Sequence, residues 1–295
     1  MPPETVVGVL LDHVAHAVHR WQDAWDRYAV DFGAEWSSGG MSLGFAPGQV
    51  RFANGARIEL LMPHDTTAND FLERFLRSSG PGPHHLTFKV TDIAAAIEQA
   101  RRSGLEPIGI DLSDPEWMEA FIHPKQATGV AVQLAQAATP WLSSPPADYP
   151  TDRRPRRDGS RLTAPASLLR VTHLVTDMSV ATSIFVDLLG GETVGEGRSR
   201  GLAWIDLSWG GPLGLRLVAA DGQVGEPRLL EWLDGRPGRI HHLHLCAEEP
   251  GSLPDAKPVG RDELAAVTEP DGTSWVVEPQ ANAGLRLVIT DQTGE

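Results

Sequence analysis

The chain has 295 residues, a formal net charge of −14 and 41% hydrophobic residues, a composition typical of globular proteins with room for two domains. This acidic balance argues against nucleic acid or an anionic membrane as the main partner, because both require a basic surface. Cys246 is the only cysteine, so the chain cannot form an internal disulfide. No charged start followed by an apolar segment is present, and we expect a cytoplasmic protein.

The first module of the chain is predicted to be a strand, a helix and three further strands. Residues 6–18 alternate so that His13 shares a face with two alanines, while two valines point the other way. A helix is predicted for residues 21–32, and Gly33 ends it. Three short strands are predicted to follow, at residues 42–45, 49–53 and 57–62.

A second module restarts the same pattern at Pro81–Val90, where a Pro/Gly turn opens onto a strand. In this strand His85, Thr87 and Lys89 share one face, and the opposite face is apolar. A helix and three strands complete the module, predicted at residues 92–103, 106–110, 119–123 and 129–134. Residues 6–136 therefore contain the strand–helix–three-strand unit twice.

The pattern recurs after a stretch rich in Pro, Ser, Ala and Arg, which is predicted to be a linker. In the recurrence His173 follows His13 by 160 residues (173 − 13), and His242 follows His85 by 157 residues (242 − 85). Pro and Gly replace the helix of the last module, which is therefore abbreviated. We predict a first domain, the linker, a second domain and a C-terminal tail, at residues 1–136, 137–166, 167–282 and 283–295.

One face of the first domain combines four polar residues from four predicted strands. On each strand this face is turned away from the bulky aliphatic residues, and its polar members are His13, Glu59, His85 and Gln133. Two imidazoles with oxygen donors suit a divalent transition metal, with positions left for water or substrate. A single histidine or glutamate on a strand is more often an ordinary core or surface residue. The repeated placement of four such residues is what favours metal binding.

The chain resembles two tandem domains of the vicinal oxygen chelate superfamily, which includes glyoxalases, bleomycin-resistance proteins and extradiol dioxygenases. The segments that carry the resemblance surround the four polar residues: Leu11–Ala15, Arg57–Leu61, Gly82–Leu86 and His123–Leu134. The first domain is most similar to methylmalonyl-CoA epimerases and glyoxalase I. The resemblance implies an α+β fold of paired βαβββ modules, each forming a curved mixed sheet around a cleft. It also implies one divalent metal (Zn, Ni, Co, Mn or Fe), bound at the four polar positions.

One departure from the family concerns the proton-transferring residue. The epimerases carry Gln at the second ligand position and Glu at the fourth, whereas this chain carries Glu59 and Gln133. An amide cannot accept a proton at neutral pH, so Glu59 is the preferred catalytic base. The resemblance then implies a metal-dependent isomerase or lyase that moves a proton next to a carbonyl of a small oxygenated substrate.

Two alternative functions stay open. The tandem layout and the chain length also favour an Fe(II) extradiol-type dioxygenase with a catechol-like substrate. Its carboxylate ligand, however, would stand at the position of Gln133. A non-catalytic small-molecule binding protein of the bleomycin-resistance type is the third hypothesis, and it predicts tight ligand binding without turnover.

The second domain differs from the first at the corresponding positions. Three of its residues are the expected equivalents of metal ligands: His173, His242 and Glu278. Glu278 lies one pleat beyond the ligand position that is usual in the family. Arg216 replaces Glu59, and a cation beside an empty metal site is repulsive, so we expect no metal there. Arg57 and Arg216 are candidate substrate-binding residues, Arg216 through a substrate carboxylate. We expect a small-molecule substrate, no nucleic acid or membrane partner, and a monomer or homodimer.

Overall fold

Two eight-stranded mixed sheets carry the fold in a computed structural model of the chain. The structure describes residues 6, 8–137, 143–150, 164–221, 227–260 and 274–291. Helices are few and short, and none within these ranges is long and apolar enough to cross a membrane. This architecture confirms the predicted α+β class.

The first sheet is built from the first half of the chain. Its strands are β1 Leu10–Ala17, β2 Glu35–Gly39, β3 Gly44–Arg51, β4 Arg57–His64, β5 Gly82–Lys89, β6 Ile108–Asp111, β7 Trp117–Ile122 and β8 Ala131–Ala137. Their order across the sheet is β2-β3-β4-β1-β5-β8-β7-β6. The β5–β8 pair is parallel, and the outer pairs are antiparallel. Strands β1 and β5, which open the two modules, are neighbours at the centre of the sheet.

The second sheet repeats this order position by position. Its strands are β9 Ser167–Val175, β10 Glu192–Ser199, β11 Leu202–Ser208, β12 Gly214–Ala220, β13 Gly238–Ala247, β14 Lys257–Pro258, β15 Ser274–Val277 and β16 Leu287–Asp291. Their order is β10-β11-β12-β9-β13-β16-β15-β14. Each strand takes the place of the strand numbered eight lower, which confirms the predicted tandem repeat.

The described parts of the chain contain five short α-helices beside the strands. They are α1 Gln22–Asp26, α2 Phe71–Ser79, α3 Ile93–Arg102, α4 Met178–Thr182 and α5 Pro227–Leu233. Helices α1 and α4 continue as π-helical turns over Arg27–Asp31 and Ser183–Leu188. Asp92 caps α3 as predicted, since its side chain accepts a hydrogen bond from the backbone N–H of Ala95. Between β13 and β14 the described residues contain only a 3₁₀ turn, Pro250–Ser252, which is the abbreviation expected for the last module.

The strands that follow α1 differ from the prediction. The two strands expected at residues 42–45 and 49–53 are one strand, β3, and the first strand of the group is β2. The sequence of β2 lacks apolar alternation, and a bulge between Trp36 and Ser38 interrupts its pairing with β3. Its pairing therefore comes from its neighbour in the sheet rather than from its own pattern, and the prediction was wrong here.

Contacts between Cα atoms group the chain into two compact units. The first unit contains the described residues within Met1–His13, His85–Pro140 and Arg170–His241, and the second contains those within Val14–His84, Trp141–Leu169 and His242–Glu295. In the first unit the ring of Phe88 packs against Phe185 and Trp209, with centroids 6.2 and 5.0 Å away.

In the second unit Tyr149 is buried among aromatic side chains of the first module. Its ring centroid lies 5.4 Å from that of Trp25 and 5.3 Å from that of Trp36, and its hydroxyl donates to the carbonyl of Ala34. Tyr149 of the expected linker is therefore packed against the first module, while residues 138–142 and 151–163 lie outside the described ranges. Strand β16 lies within the stretch assigned to a C-terminal tail. The domain boundaries stay a prediction.

Candidate functional site

Two buried histidines from β1 and β5 form the centre of the candidate site. His13 and His85 are 0% and 4% exposed, and their ring centroids lie 6.1 Å apart. Side chains alternate along β5, so the face opposite His85 holds Leu86 and Phe88, both fully buried. The ring of Phe121 stands edge-on to His85 with centroids 5.9 Å apart. Apolar packing on one face of β5 thus commits His85 to the other.

The carboxylate of Asp12 fixes the orientation of the His13 ring. Its Oδ2 atom lies 2.8 Å from Nδ1 of His13, and its Oδ1 atom lies 3.6 Å from Nζ of Lys89. A carboxylate only accepts hydrogen bonds, so the ring proton belongs on Nδ1. Nε2 of His13 is then the nitrogen that can bind a metal, in the carboxylate–histidine arrangement common around metal sites.

A series of close polar contacts leads from His13 to β7. Oγ1 of Thr87 lies 2.9 Å from Nε2 of His13 and donates to Oε1 of Gln133 at 2.6 Å. Nε2 of Gln133 in turn donates to Oε2 of Glu119 at 2.7 Å, and the indole N–H of Trp117 donates to the same oxygen at 2.9 Å. The structure therefore brings Gln133 into one network with His13 and engages both ends of its amide.

Glu59 lies on β4 and is 7% exposed. Its cross-strand neighbour on β3 is Gln49, and the adjacent Ile58 and Leu60 are fully buried on the opposite face. The charge of Glu59 also reaches His84, whose pKa it raises, but burial outweighs this effect and lowers the pKa of His84 to about 4. His84 is therefore neutral at pH 7 and packs edge-on against the ring of Phe75.

Donor atoms of His13, Glu59 and His85 lie within 4.8 Å of one another. Ligands that share one ion at about 2.1 Å lie roughly 3–4 Å apart, so only a small contraction separates this arrangement from coordination. Two imidazoles and one carboxylate form a donor set that divalent transition metals bind well. The residues present therefore fit a divalent metal ion.

The two predicted substrate-binding arginines have different surroundings. Arg57 is half-buried on β4, two residues before Glu59 and on the same face. Arg216 on β12 is buried, and its Nε and Nη2 atoms each donate to an oxygen of Asp206 at 2.6 Å. Its guanidinium also lies 4.3 Å from the ring centroid of Trp204. A substrate carboxylate at Arg216 would have to compete with Asp206.

His173 takes the place of His16 rather than that of His13. The ring Nε2 of His16 lies 2.8 Å from the carbonyl oxygen of Ala283, and that of His173 lies 2.9 Å from the carbonyl oxygen of Thr128. Both accepting residues have a left-handed backbone, with φ of 44° and 51°, and each precedes a glycine that leads into the last strand of its sheet. Burial lowers the pKa of each of these two histidines to about 4.

Arg170 is the second-half residue at the position of His13. Arg170 and Arg216 share a face of the second sheet, because Arg216 pairs with Thr172, two residues along from Arg170. The spacing of 160 residues expected from His173 therefore does not describe the repeat. Three pairs share a separation of 157 residues (170 − 13, 216 − 59 and 242 − 85): His13 and Arg170, Glu59 and Arg216, and His85 and His242.

Val288 stands at the position of Gln133, and Glu278 lies on a different strand. Gln133 pairs with Thr87 in the β5–β8 ladder, and Val288 pairs with His244, the counterpart of Thr87, in the β13–β16 ladder. Glu278 instead follows β15, the counterpart of β7, and accepts a hydrogen bond from Nη2 of Arg286 at 2.6 Å. His242, at the position of His85, is fully buried.

Sequence reasoning missed three polar residues of the site: Asp12, Thr87 and Glu119. Asp12 and Thr87 carried a usable signal, since one precedes His13 directly and the other shares the face of His85. Glu119 carried none, because its contact with Gln133 depends on the register of β7 against β8. Strand register is set by turns and packing that the sequence does not display.

Residues 11–152 match the family model described as a glyoxalase-like domain. No curated protein is significantly similar to the chain in sequence. The matched segment contains all four predicted ligand positions, from His13 to Gln133.

Some solved structures resemble about half of the chain, and one resembles nearly all of it. A methylmalonyl-CoA epimerase from Mycobacterium tuberculosis is 26% identical over 47% of this chain and 93% of that one, with a TM-score of 0.41. A hypothetical protein from Bacillus halodurans is 21% identical over 47% of this chain and 99% of that one, also with a TM-score of 0.41. A mutant of 4-hydroxymandelate synthase from Streptomyces coelicolor is 14% identical, covers 98% of this chain and 93% of its own, and has a TM-score of 0.60. The last match shows that the whole two-sheet fold occurs in another protein.

Proposed function

We propose that the chain, a member of the vicinal oxygen chelate superfamily with a glyoxalase-like domain at residues 11–152, is a metal-dependent enzyme. Its reaction is proton transfer next to a carbonyl group of a small oxygenated substrate, as in an epimerase, isomerase or lyase. The neighbouring methylmalonyl-CoA epimerase is named for a reaction of this kind. The site lies in the first half of the chain.

The observation that carries this proposal is the donor cluster of His13, Glu59 and His85, whose ligand atoms lie within 4.8 Å of one another. All three residues are buried, so the donor atoms lie away from bulk solvent. Gln133 is proposed as a fourth ligand through its Oε1 atom. A divalent ion held there would act as a Lewis acid that stabilises negative charge developing on a substrate carbonyl oxygen.

The chain's own residues divide the remaining work. Glu59 is the proposed base, because a carboxylate oxygen can accept the proton from the carbon beside the carbonyl, and the amide of Gln133 cannot. Asp12 holds the ring of His13 through Nδ1 at 2.8 Å, so that Nε2, which lies 2.9 Å from Oγ1 of Thr87, is the nitrogen that would bind the ion. His84 is neutral at pH 7 and does not offset the charge of Glu59.

Glu59→Gln tests the assignment of the base. Purified full-length chain, loaded with Zn²⁺, is incubated in D₂O with a panel of 2-oxo acids, 2-hydroxy aldehydes and branched acyl thioesters, and deuterium uptake at carbon is followed by NMR. We expect uptake with the wild-type chain and none with Glu59→Gln, which should still bind Zn²⁺. Glu35→Gln, at an exposed carboxylate, is the matched control. Undiminished deuterium uptake by Glu59→Gln would exclude Glu59 as the base.

A second candidate function is oxygen-dependent oxidation with Fe(II). The observation in its favour is the composition of the cluster, since two histidines and one carboxylate are also the ligands of many non-haem Fe(II) oxygenases. This function predicts that iron alone supports turnover and that turnover stops without oxygen. The proton-transfer function predicts the same rate in anaerobic and aerobic buffer.

A further inference from the structure

Glu119 lies next to the proposed ligand Gln133 without belonging to the cluster of donor atoms. Its Oε2 atom accepts a hydrogen bond from Nε2 of Gln133 at 2.7 Å and another from the indole N–H of Trp117 at 2.9 Å. Glu119 is half-buried on β7, and Gln133 is 5% exposed on β8. The two hydrogen bonds therefore hold the carboxylate against the amide.

This contact decides which end of the Gln133 amide faces His13. A carboxylate is an acceptor only, so the NH₂ group of the amide must point to Glu119. The carbonyl oxygen Oε1 then points the opposite way, where it accepts a hydrogen bond from Thr87 at 2.6 Å. Thr87 in turn lies 2.9 Å from Nε2 of His13, so Oε1 is turned to the side of the metal cluster.

The charge of Glu119 also changes the quality of Oε1 as a ligand. Hydrogen bonds to ionised groups are stronger than neutral ones, and a chain of hydrogen bonds polarises its members. An amide whose NH₂ donates to a carboxylate carries more negative charge on its oxygen. The pair can therefore present a more basic oxygen than an isolated glutamine while keeping the anion outside the cluster.

We propose that Glu119 is a positioning residue that turns Oε1 of Gln133 toward the His13–Glu59–His85 cluster and strengthens it as a metal ligand. This inference rests on the proposed function in taking Gln133 as a ligand. The fourth ligand position, a carboxylate in the epimerases, is the amide of Gln133 in this chain. The proposal places the carboxylate on the adjacent strand β7, where Glu119 accepts a hydrogen bond from that amide.

A double-mutant cycle between the two residues tests the proposal. Co²⁺ affinity is measured for the metal-free full-length wild type, Glu119→Gln, Gln133→Glu and the double variant, by competition with a chelator. Glu119→Gln alone should weaken Co²⁺ binding about 10–100-fold, the usual effect of losing a partner of a metal ligand. In the Gln133→Glu background the same substitution should strengthen binding, because it removes a carboxylate that repels the new one and supplies an amide N–H instead.

The reversal of sign is the signature of positioning, since general loss of negative charge or of packing would weaken binding in both backgrounds. Glu116→Gln, at an exposed carboxylate just before β7, should change the affinity less than about twofold. An effect of Glu119→Gln with the same sign and size in both backgrounds would overturn the proposal.

Failure of the proposed function can be told apart from failure of this inference. If the wild-type chain binds no Co²⁺, the metal-dependent function falls, and the orientation of the amide is tested on the metal-free chain. The side-chain NH₂ resonances of Gln133 should then shift in Glu119→Gln and stay in place in Glu116→Gln. Unchanged Gln133 resonances in Glu119→Gln would contradict the positioning role.

Discussion

The Nδ1 atom of His13 lies 2.8 Å from a carboxylate oxygen of Asp12, the residue directly before it in the chain. Such a carboxylate fixes the tautomer of a ligating histidine and raises the basicity of its other nitrogen. Asp12→Asn keeps the shape of the side chain and removes its charge. We predict that the dissociation constant for Zn²⁺ rises about 10–100-fold. Calorimetric titration of Zn²⁺ into the metal-free chain measures this change.

The control for that experiment is Asp26→Asn, which removes the charge of an exposed aspartate on α1. It should leave the Zn²⁺ affinity unchanged within about twofold, because exposed charges act weakly through water. Equal affinities of Asp12→Asn and the wild type would show that Asp12 has no part in holding the ligand.

The loop before β8 approaches the start of β13 so closely that a side chain cannot fit between them. Gly129 has a φ of 87°, and a Cβ atom on it would lie 1.9 Å from the carbonyl oxygen of Gly238. We predict that Gly129→Ala lowers the free energy of unfolding by about 1–3 kcal/mol more than Gly104→Ala, as expected for overpacking. Gly104 has a φ of 80° and nothing within 4 Å of such a Cβ, so it carries the backbone strain alone. Urea denaturation measures both, and equal losses would contradict the close approach.

The buried histidines His16 and His173 make stability depend on pH. Burial lowers the pKa of each from 6.5 to about 4, so the unfolded chain binds more protons than the folded chain between these values. The free energy of unfolding is therefore undiminished by these two histidines above pH 6.5. As the pH falls from 6.5 toward 4, each of them lowers it by about 3 kcal/mol.

His173→Gln tests this dependence, because glutamine can still donate to the carbonyl of Thr128 but does not titrate. We expect the free energy of unfolding of this variant to fall less steeply than that of the wild type as the pH is lowered from 6.5 to 4. The reason is that the variant takes up about one proton fewer when it unfolds. His19→Gln, at an exposed imidazole, should leave the slope as it is. A wild-type slope in His173→Gln would mean that His173 takes up its proton without loss of the fold.

The sequence could predict which side chains of a single strand face the site, because side chains alternate between the two faces of a strand. The apolar residues that flank His85 on β5 also fixed its face, because a strand has a period of two residues. The same rule located Glu59 between Ile58 and Leu60. The repeated strand–helix–three-strand unit and the family resemblance predicted a tandem α+β fold, which the structure confirmed.

Relations between strands were harder to predict. Both β1 and β9 contain a histidine that donates to a loop carbonyl, and this pair was confused with the ligand position, which in β9 is Arg170. The contact of Glu119 with Gln133 depends on the β7–β8 register. Strand β2 forms because β3 is beside it, which no local pattern reveals.

The metal content of the purified full-length chain tests the central claim most directly. After incubation with Zn²⁺ and removal of the excess, mass spectrometry should find about one divalent ion per wild-type chain. His85→Ala should retain less than about a tenth of it, because a ligand has been removed. His84→Ala, which alters the neighbouring residue on the same strand, should retain as much as the wild type. A wild-type chain without metal, or a His85→Ala variant that holds as much as the wild type, would contradict the account.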